Sequence, residues 1–233
     1  MTLLGEIKES LLQIVFPHVC DGCGTDVLDT GTRLCITCLS SLPETNFHMH
    51  ANNPVEKTFW GRIPVTAAMS QYYFTKESLI QRLMHQFKYR QNKALGLQLG
   101  RGMGLSLKET SRFSDIDALI PLPLFPAREK KRGYNQAAVL CEGIQSVLPW
   151  PILNNAVSRP DRTETQTRKG RIERWKNIEG RFKLEKDPFI RGKHILLVDD
   201  VVTTGATLEA CATELLEHGN CRISIATLCY TAH

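Results

Sequence analysis

Short apolar runs alternate along this chain with longer stretches in which apolar residues recur every three or four positions. Runs that are rich in β-branched and aromatic residues and end in turn residues are typical of buried strands. The predicted strands are residues 62–75, 116–126, 151–159, 177–186, 193–200 and 222–231. Strands of this kind, separated by helices, predict an α/β fold whose parallel sheet is covered by helices on both faces.

The stretches between these strands have the periodicity of amphipathic helices. One helix is predicted around 79–87 and a second around 95–103, where closely spaced glycines indicate tight packing against a neighbour. Two more helices are predicted over 134–148 and 207–220, and Gly219 is expected to close the last one. Ligands of parallel α/β sheets bind beyond the carboxyl ends of the strands, so the loops after the strands are the first candidates for a site.

The first 18 residues are predicted to form an amphipathic helix that packs on a partner surface. Glu6, Lys8 and Glu9 interrupt its apolar positions too early for the core of a signal peptide. No run approaches the ~18 apolar residues of a membrane span. We therefore expect no membrane span and a cytoplasmic protein whose thiols stay reduced.

Positive charge is concentrated in one part of the sequence. The 233 residues have an ordinary hydrophobic content of 42% and a net charge of +5. Residues 159–193 contain twelve Lys and Arg against six Asp and Glu, a surplus that accounts for the whole net charge. A basic surface indicates an anionic partner such as phosphate, pyrophosphate or nucleic acid. A solvated charged loop is the alternative interpretation.

Two Cys-x-x-Cys pairs near the N-terminus predict a metal site. Cys20 and Cys23 form the first pair, and Cys35 and Cys38 repeat the same separation after eleven intervening residues. Four thiolates complete the tetrahedral shell of zinc and leave no open coordination position, so the predicted Zn²⁺ is structural. Free thiols and disulfides are the alternatives. The other four cysteines lie in apolar contexts and are predicted to pack in the core.

The cysteine pairs lie in a segment too short to bury a core of its own. Residues 1–55 are therefore predicted to form a small N-terminal domain, a helix followed by a zinc ribbon or knuckle, whose metal supplies much of the folding energy. Residues 56–233 are predicted to form the α/β domain.

The apolar strand that begins near His194 runs directly into two carboxylates, Asp199 and Asp200, and then into a loop of small residues. Neighbouring side chains diverge along a strand, but both acids could reach one ligand if the strand ends at the pair and bends. The loop sequence TTGAT offers backbone N–H groups beside the positive end of the next helix, which suits a phosphate. A ribose 5-phosphate needs carboxylates that accept hydrogen bonds from its sugar hydroxyls, next to N–H groups that bind its phosphate. This stretch offers both. An Asp cap followed by a threonine-rich turn is the alternative.

The stretch ILLVDDVVTTGAT resembles the phosphoribosyl-pyrophosphate (PRPP) signature of type I phosphoribosyltransferases at every position of its aliphatic, acidic and small-residue pattern. The wider chain resembles the ComF/GntX branch of that superfamily, which is linked to DNA uptake in competent bacteria. The shared stretches are the cysteine pairs, FKYRQNKALGLQLG, IPLPLFPAREKKRGYNQ and SRPDRTETQTRKGRIERWKN. The resemblance implies a type I phosphoribosyltransferase-like parallel sheet flanked by helices, with the small zinc domain attached.

The resemblance also implies roles for particular residues. Asp199 and Asp200 would be the catalytic acids that hold the ribose 2- and 3-hydroxyls. The 5-phosphate would be bound by Thr203, Thr204, Gly205, Ala206 and Thr207. The pyrophosphate loop would comprise Pro121, Leu122 and Pro123, with Arg128, Lys131 and Arg132 as charge partners. The flexible loop that closes over the substrate would contain Arg162, Thr163, Thr165, Gln166 and Arg168. The alternative for Arg128, Lys131 and Arg132 is a solvated basic loop. The alternative for the flexible loop is a disordered linker.

By this resemblance the protein would transfer phosphoribosyl from PRPP to an acceptor and release pyrophosphate, with Mg²⁺ and basic groups offsetting the leaving charge. No motif in the sequence specifies the acceptor. The alternative is a protein that uses the fold without turnover, to sense PRPP or to bind single-stranded DNA in competence. The small number of aromatic residues near the basic region favours the small-molecule site, because single-strand binding depends on stacking.

Overall fold

Among the residues that the structure describes, four parallel strands form a central sheet. The computed structural model describes residues 19–29, 31–160, 182–185 and 189–232. The strands are β1 (Ala68–Tyr73), β2 (Ala118–Pro121), β3 (Val157–Ser158), β4 (Lys183–Leu184), β5 (His194–Val202) and β6 (Arg222–Tyr230). The order in the sheet is β1-β6-β5-β2, with every pair parallel, and β3 and β4 form a separate antiparallel pair.

Helices connect the strands of the sheet. They are α1 (Ile36–Ser40), α2 (Pro54–Phe59), α3 (Leu79–Tyr89), α4 (Lys93–Lys108), α5 (Pro126–Arg132), α6 (Gln136–Gln145) and α7 (Ala206–Gly219), with a 3₁₀ turn at Ser111–Phe113. None of the helices in the described ranges combines the length and the apolar character needed to cross a membrane.

The two central strands are buried on both faces. Residues 194–198 of β5 and 223–229 of β6 are all buried. A strand without an exposed face is stable only between neighbouring strands and under helices on both sides. This pattern places β5 and β6 in the middle of the sheet, with β2 and β1 outside them.

Helices lie on opposite sides of this sheet. Asp200 contacts Lys88 of α3, whereas the charge of Asp199 acts on Cys211 of α7. Since adjacent side chains of a strand point to opposite faces, α3 and α7 flank different faces of β5. α4 packs with α3 and α6, and α6 lies on β5 and β2. The predicted parallel sheet with flanking helices is confirmed.

The chain before α2 runs along the free edge of β1. The Thr45 N–H donates to the Gln71 carbonyl at 3.0 Å, and the Tyr73 N–H donates to the Pro43 carbonyl at 2.8 Å. These bonds satisfy edge groups that would otherwise be open to other chains. These hydrogen bonds join residues 43–45, from the predicted N-terminal domain, to the sheet. The predicted domain boundary at residue 55 stays a prediction.

Several element boundaries differ from the sequence-based ones. β5 was expected to end at the acid pair but continues to Val202, because the next two valines also pair with β6. The run 151–159 contributes only the short β3, and of 177–186 the described residues contribute only β4. The last helix ends in a left-handed residue at Asn220, with a φ of 46°, and Gly219 is its last helical residue.

The glycines of α4 and α6 let the two helices approach backbone to backbone. A Cβ on Gly143 of α6 would lie 2.5 Å from the Leu97 carbonyl oxygen and 2.7 Å from the Arg101 nitrogen of α4. Such distances leave no room for a methyl group, so a side chain would have to push the helices apart. The predicted close packing of the glycine-rich helix is confirmed.

The substitution Gly143→Ala is expected to destabilise the protein by about 1–3 kcal/mol through overpacking. Gly102→Ala in α4 is the matched control, because the nearest atom to its added Cβ would be the Tyr72 hydroxyl at 3.8 Å. Helix propensity alone should make the control neutral or up to ~1 kcal/mol more stable. Urea unfolding of both variants measures the difference, and equal stabilities would contradict the packing argument.

Candidate functional site

The acid pair lies inside β5 and not at a bend after it. Asp199 is paired with Thr227 of β6, and the pairing continues to Val202, so the two carboxylates leave opposite faces of the sheet. The Asp199 carboxylate accepts a hydrogen bond from the Asp200 backbone N–H at 2.8 Å. The expected bend at the pair is therefore wrong, and each carboxylate meets a different set of neighbours.

Two cations hold the Asp200 carboxylate. Lys88 Nζ in the last turn of α3 lies 3.0 Å from Asp200 Oδ2, and Arg132 Nη1 at the end of α5 lies 4.0 Å from the same oxygen. The side chains of Lys88, Arg132 and Asp200 are only 20%, 14% and 12% exposed. Salt screens such largely buried charges little, so the two ion pairs remain strong and keep the Asp200 carboxylate in place.

The surroundings of Asp199 shift its pKa. Burial first, and next the negative charge of Asp200, raise the pKa of the Asp199 carboxyl to about 8. The Asp200 N–H and the positive charges of Lys88 and Arg159 lower this pKa without cancelling the rise. A carboxyl group that changes protonation near neutral pH is typical of functional sites.

The loop after β5 leaves the start of α7 without a side-chain cap. The N-cap residue is Gly205, which has no side chain to accept from the first N–H groups. Five other helices have an N-cap side chain that does accept, and these residues are Cys35, Asn53, Ser78, Asn92 and Asn135. The first N–H groups of a helix lack partners within it and carry the positive end of its dipole. An uncapped start is therefore suited to an anion.

A small cavity of about 50 Å³ lies at this turn. Its lining comprises Asp199, Val201, Val202, Thr203, Thr204, Gly205, Ala206, Thr207 and Leu208. A single water needs only ~10–15 Å³ of cavity, so the space suits a group of the size of a phosphate. The structure thus brings all five residues predicted to bind phosphate together with Asp199, while Asp200 lies on the other face of the strand.

Gly205 is required by both backbone conformation and space. Its φ of 74° lies in the left-handed region that favours glycine. A Cβ at this position would lie 2.8 Å from Phe59 Cε1 and 2.9 Å from Thr58 Cγ2. The end of α2 therefore covers the loop at the point where its backbone must turn.

The predicted pyrophosphate stretch begins beside the acid strand. Pro121 is the last residue of β2 and lies opposite Val198, and the Leu122 N–H donates to the Val198 carbonyl at 2.8 Å. Pro123 follows directly. Because β2 and β5 are parallel, the stretch leaves the sheet at the same carboxyl edge as the acid pair.

The three cations predicted after this stretch lie on α5 and have different environments. Arg132 reaches Asp200, as described above, and its guanidinium lies 5.8 Å from the centre of the Tyr89 ring. The Arg128 guanidinium lies 5.8 Å from the Phe125 ring centre, and Lys131 is exposed. Of the three, the structure brings Arg132 to the acid pair.

The predicted flexible loop lies outside the described residues. Its members are Arg162, Thr163, Thr165, Gln166 and Arg168. Arg159, which precedes it, is described, and its guanidinium lies 3.8 Å from the Phe125 ring centre and 4.8 Å from the Phe182 ring centre. Its positive charge also lowers the pKa of Asp199, so it belongs to the surroundings of the acid pair.

Sequence reasoning missed three cations of this site: Lys88, Arg62 and Arg159. Arg62 Nη1 donates to the Thr204 carbonyl at 2.8 Å, and its guanidinium pairs with Glu209 of α7, so it anchors the loop from outside. Lys88 lies within a stretch that resembles the family, but no spacing in the sequence connects it to Asp200. These contacts join positions far apart in the chain, and only the fold reveals them.

The four cysteines of the two pairs form one cluster. The sulfur atoms of Cys20, Cys23, Cys35 and Cys38 lie within 4.8 Å of one another, with Cys23 and Cys35 separated by 3.7 Å. Four thiolates with Zn–S bonds of about 2.3 Å in a tetrahedron place sulfur atoms about 3.8 Å apart. The cluster could therefore hold a metal ion and fits a zinc knuckle.

Backbone N–H groups favour the thiolate of Cys20, the first cysteine of the cluster. Burial alone raises the pKa of the Cys20 thiol, but N–H groups of Cys35, Cys23 and Gly22 and the Cys35 side chain lower it to about 6. Burial and the neighbouring cysteines raise the pKa of Cys38 to about 12. Gly22 leaves the necessary space, because a Cβ there would lie 2.6 Å from the Cys38 sulfur.

One arrangement of Ser, His and Asp lies at the other end of the sheet. His194 Nε2 lies 2.9 Å from Ser224 Oγ, and His194 Nδ1 lies 2.9 Å from Asp115 Oδ1. A nucleophile must be reachable by its substrate. His194 and Ser224 are both fully buried, so this network joins the starts of β5 and β6 and is not a catalytic triad.

A known sequence profile matches the part of the chain that contains the acid pair and the loop after it. The sequence profile described as "Phosphoribosyl transferase domain" matches residues 132–233. These residues include Arg132, the acid pair and the whole of the loop and α7 that follow.

Relatives cover most of the chain. DNA utilization protein YhgH of Escherichia coli O157:H7 is 31% identical over 206 residues, which are 87% of this chain and 86% of the relative. Competence protein F of Haemophilus influenzae is 30% identical over 209 residues, 88% of this chain and 80% of the relative. The chain belongs to the family of these DNA utilization and competence proteins.

Among solved structures, adenine phosphoribosyltransferase from Leishmania tarentolae is similar with a TM-score of 0.38 and 10% sequence identity. The match covers 62% of this chain and 74% of that chain.

The raised pKa of Asp199 predicts a particular dependence of stability on pH. Between about pH 4 and pH 8 the unfolded chain releases the Asp199 proton while the folded chain keeps it, so the stability present at pH 4 is lost as the pH rises to 8. Asp199→Asn removes this loss. The variant should match wild type near pH 4 and exceed it at pH 8 by on the order of 1–3 kcal/mol in urea unfolding.

Asp200→Asn is the matched comparison for this experiment. It leaves Lys88 buried without its carboxylate and should be less stable than wild type at neutral pH. An Asp199→Asn variant that loses stability at pH 8 would show that this carboxyl is ionised and stabilised in the folded protein.

The cysteine cluster predicts one zinc ion per chain, measured by elemental analysis of purified protein. Cys38→Ser should lose the metal and unfold at a lower temperature, because the metal supplies folding energy to the segment. Cys221→Ser is the control, since Cys221 lies outside the cluster at the start of β6. Full zinc content in Cys38→Ser would contradict a site that uses all four thiolates.

Proposed function

We propose that this protein binds PRPP and transfers its phosphoribosyl group to an acceptor with release of pyrophosphate. The observation that carries the proposal is the start of α7, which has no side-chain cap and directly follows the strand that contains the two acids. The turn proposed to bind phosphate and the acid pair are adjacent in the fold as well as in the sequence.

The 5-phosphate is assigned to the cavity at residues 203–207. The N–H groups of the first turn of α7 and the hydroxyls of Thr203, Thr204 and Thr207 are suitable donors to a phosphate. The cover formed by Phe59 and Thr58 over Gly205 keeps the loop in one conformation. A donor set fixed in this way needs little reorganisation when the anion binds.

Asp199 is assigned to the ribose hydroxyls, and Asp200, on the other face of the strand, is assigned to holding the cations. Asp199 lines the phosphate cavity and is therefore the carboxylate next to the bound ribose 5-phosphate. Asp200 brings Lys88 and Arg132 to the carboxyl edge of the sheet, where the diphosphate of PRPP needs positive charge. The pyrophosphate stretch at residues 121–123 begins at the same edge.

The reaction is a displacement at the anomeric carbon of the ribose. The bond from this carbon to the diphosphate oxygen breaks, the diphosphate leaves with the electron pair, and a nucleophilic atom of the acceptor forms the new bond. Asp199 in its ionised form stabilises the positive charge that develops on the sugar, and Lys88 and Arg132, which Asp200 holds in place, stabilise the leaving anion. Mg²⁺ bound with PRPP supplies further charge neutralisation, and carboxylate oxygens such as those of the acid pair are ligands that it accepts.

A second candidate function is binding without turnover, either sensing of PRPP or binding of single-stranded DNA. The names of the relatives, DNA utilization protein and Competence protein F, favour a connection with DNA. The basic region at residues 159–193 is the part of the sequence suited to a nucleic acid backbone.

Calorimetric titration with PRPP and Mg²⁺ tests the proposal. Wild type should bind, and the double variant Asp199→Asn/Asp200→Asn should bind at least about tenfold more weakly, since hydrogen bonds to charged groups are lost. Glu217→Gln is the control, because Glu217 is an exposed acid on α7 that lies outside the cavity lining. Absence of heat with wild type, or equal affinity of the double variant, would overturn PRPP binding.

Turnover is tested separately by measuring pyrophosphate released from PRPP in the presence of candidate acceptors. Release that depends on both the acceptor and the acid pair supports the transferase. PRPP binding without release for any acceptor, together with salt-sensitive binding of single-stranded DNA, would favour the second function.

A further inference from the structure

A second cavity lies where α3 ends and α4 begins. It has a volume of about 560 Å³ and includes in its lining Arg33, Gln86, Arg90, Asn92, Lys93 and Tyr134. It shares no lining residue with the cavity at residues 203–207. The cavity is open to solvent, and its volume is in the range of sites that bind small ligands.

The lining is positively charged. Three of the lining residues are cationic and none is an Asp or Glu. The charge of Arg33 is matched by Asp21, but within the described ranges neither Arg90 nor Lys93 forms an ion pair. Cations without a carboxylate partner on the wall of a concave site attract an anion.

Asp21, which lies between Cys20 and Cys23, holds three residues that line this cavity in place. Its carboxylate accepts from Arg33 Nε at 2.8 Å and from Asn92 Nδ2 at 2.9 Å, and its backbone carbonyl accepts from Gln86 Nε2 at 2.9 Å. One residue of the cysteine segment thus positions side chains from that segment, from α3 and from the start of α4. The polar groups are arranged before any ligand arrives, which lowers the cost of binding.

The remaining walls add donors and a rigid aromatic surface. Ala94, in the first turn of the 16-residue helix α4, belongs to the lining, so the positive end of the helix dipole adds to the field. Tyr134 is fixed by donation from its hydroxyl to the Phe87 carbonyl, and Lys93 Nζ lies 5.2 Å from its ring centre. Arginine, lysine and a helix start together are the usual components of phosphate sites.

The cavity is a separate site from the acid pair. Lys88 points to Asp200, whereas Arg90 follows two positions later at the end of the same helix and lines the cavity. Residues two apart on a helix point to nearly opposite sides. The end of α3 therefore supplies one cation to each site.

We propose that this cavity binds a phosphate-bearing ligand of about nucleotide size, either a free nucleotide or a nucleotide unit of a nucleic acid strand. Arg90 and Lys93 contact the phosphate, and the amides of Gln86 and Asn92 with the Tyr134 ring form the wall beside it. The site is independent of PRPP binding at residues 203–207, because it is built from other residues.

Nuclear magnetic resonance titration of the ¹⁵N-labelled full chain tests this inference. The probes are inorganic pyrophosphate, deoxythymidine monophosphate and a short oligothymidylate, each added at low ionic strength. We expect shifts of the Ala94 amide and the Gln86 and Asn92 side-chain amides. Arg90→Ala/Lys93→Ala should weaken binding at this site about tenfold or more, since charged hydrogen bonds are removed. Both positions are exposed, so the variant should fold normally.

Lys108→Ala is the matched control, because Lys108 is an exposed lysine at the opposite end of α4. It should bind each probe as wild type does. Tighter binding of the oligothymidylate than of the monophosphate, with the same residues shifted, assigns the ligand to a strand, and equal affinity assigns it to a free nucleotide. Shifts confined to residues 203–207, or unchanged affinity of the Arg90→Ala/Lys93→Ala variant, would overturn this site without affecting the proposal for PRPP.

Discussion

The two carboxylates inside β5 are the constraint on which the rest of the site depends. A strand that is buried on both faces can hold charge only if each acid is paired or stays protonated. Asp200 takes the first solution, with Lys88 and Arg132 supplied by two different helices. Asp199 takes the second, since burial raises its pKa to about 8. Neither arrangement is favourable for folding alone, and charge inside a strand of this kind is typical of functional sites.

The phosphate loop depends on the same strand. β5 continues two residues past the acids, so the chain turns at Gly205, where the positive φ and the close approach of Phe59 both exclude a side chain. The start of α7 consequently has no cap of its own and is covered by α2, with Arg62 holding Thr204 from outside. Gly205 therefore has two roles: it sets the shape of the loop, and it leaves the start of α7 open to an anion.

The cysteine segment is joined to the core through polar contacts that also shape a cavity. Asp21 links the first cysteine pair to Gln86 of α3 and Asn92 of α4, and Gln98 of α4 accepts from the Arg33 N–H at 2.6 Å. A metal ion held by the four thiolates would fix the position of Asp21 between two of its ligands. The metal site and the basic cavity are in this way linked through Asp21.

The sequence by itself determined the parallel sheet, the four-cysteine cluster and the run from Asp199 to Thr207, because apolar periodicity, Cys-x-x-Cys spacing and an acid pair before a small-residue loop are local patterns. It did not determine where β5 ends, since the pairing of the valines after Asp200 depends on β6. Nor did it reveal Lys88, Arg62 or the cavity around Arg90, which combine positions distant in the chain. Only the tertiary structure decided these, because side-chain charges meet according to the packing of helices on the sheet and not according to their spacing in the sequence.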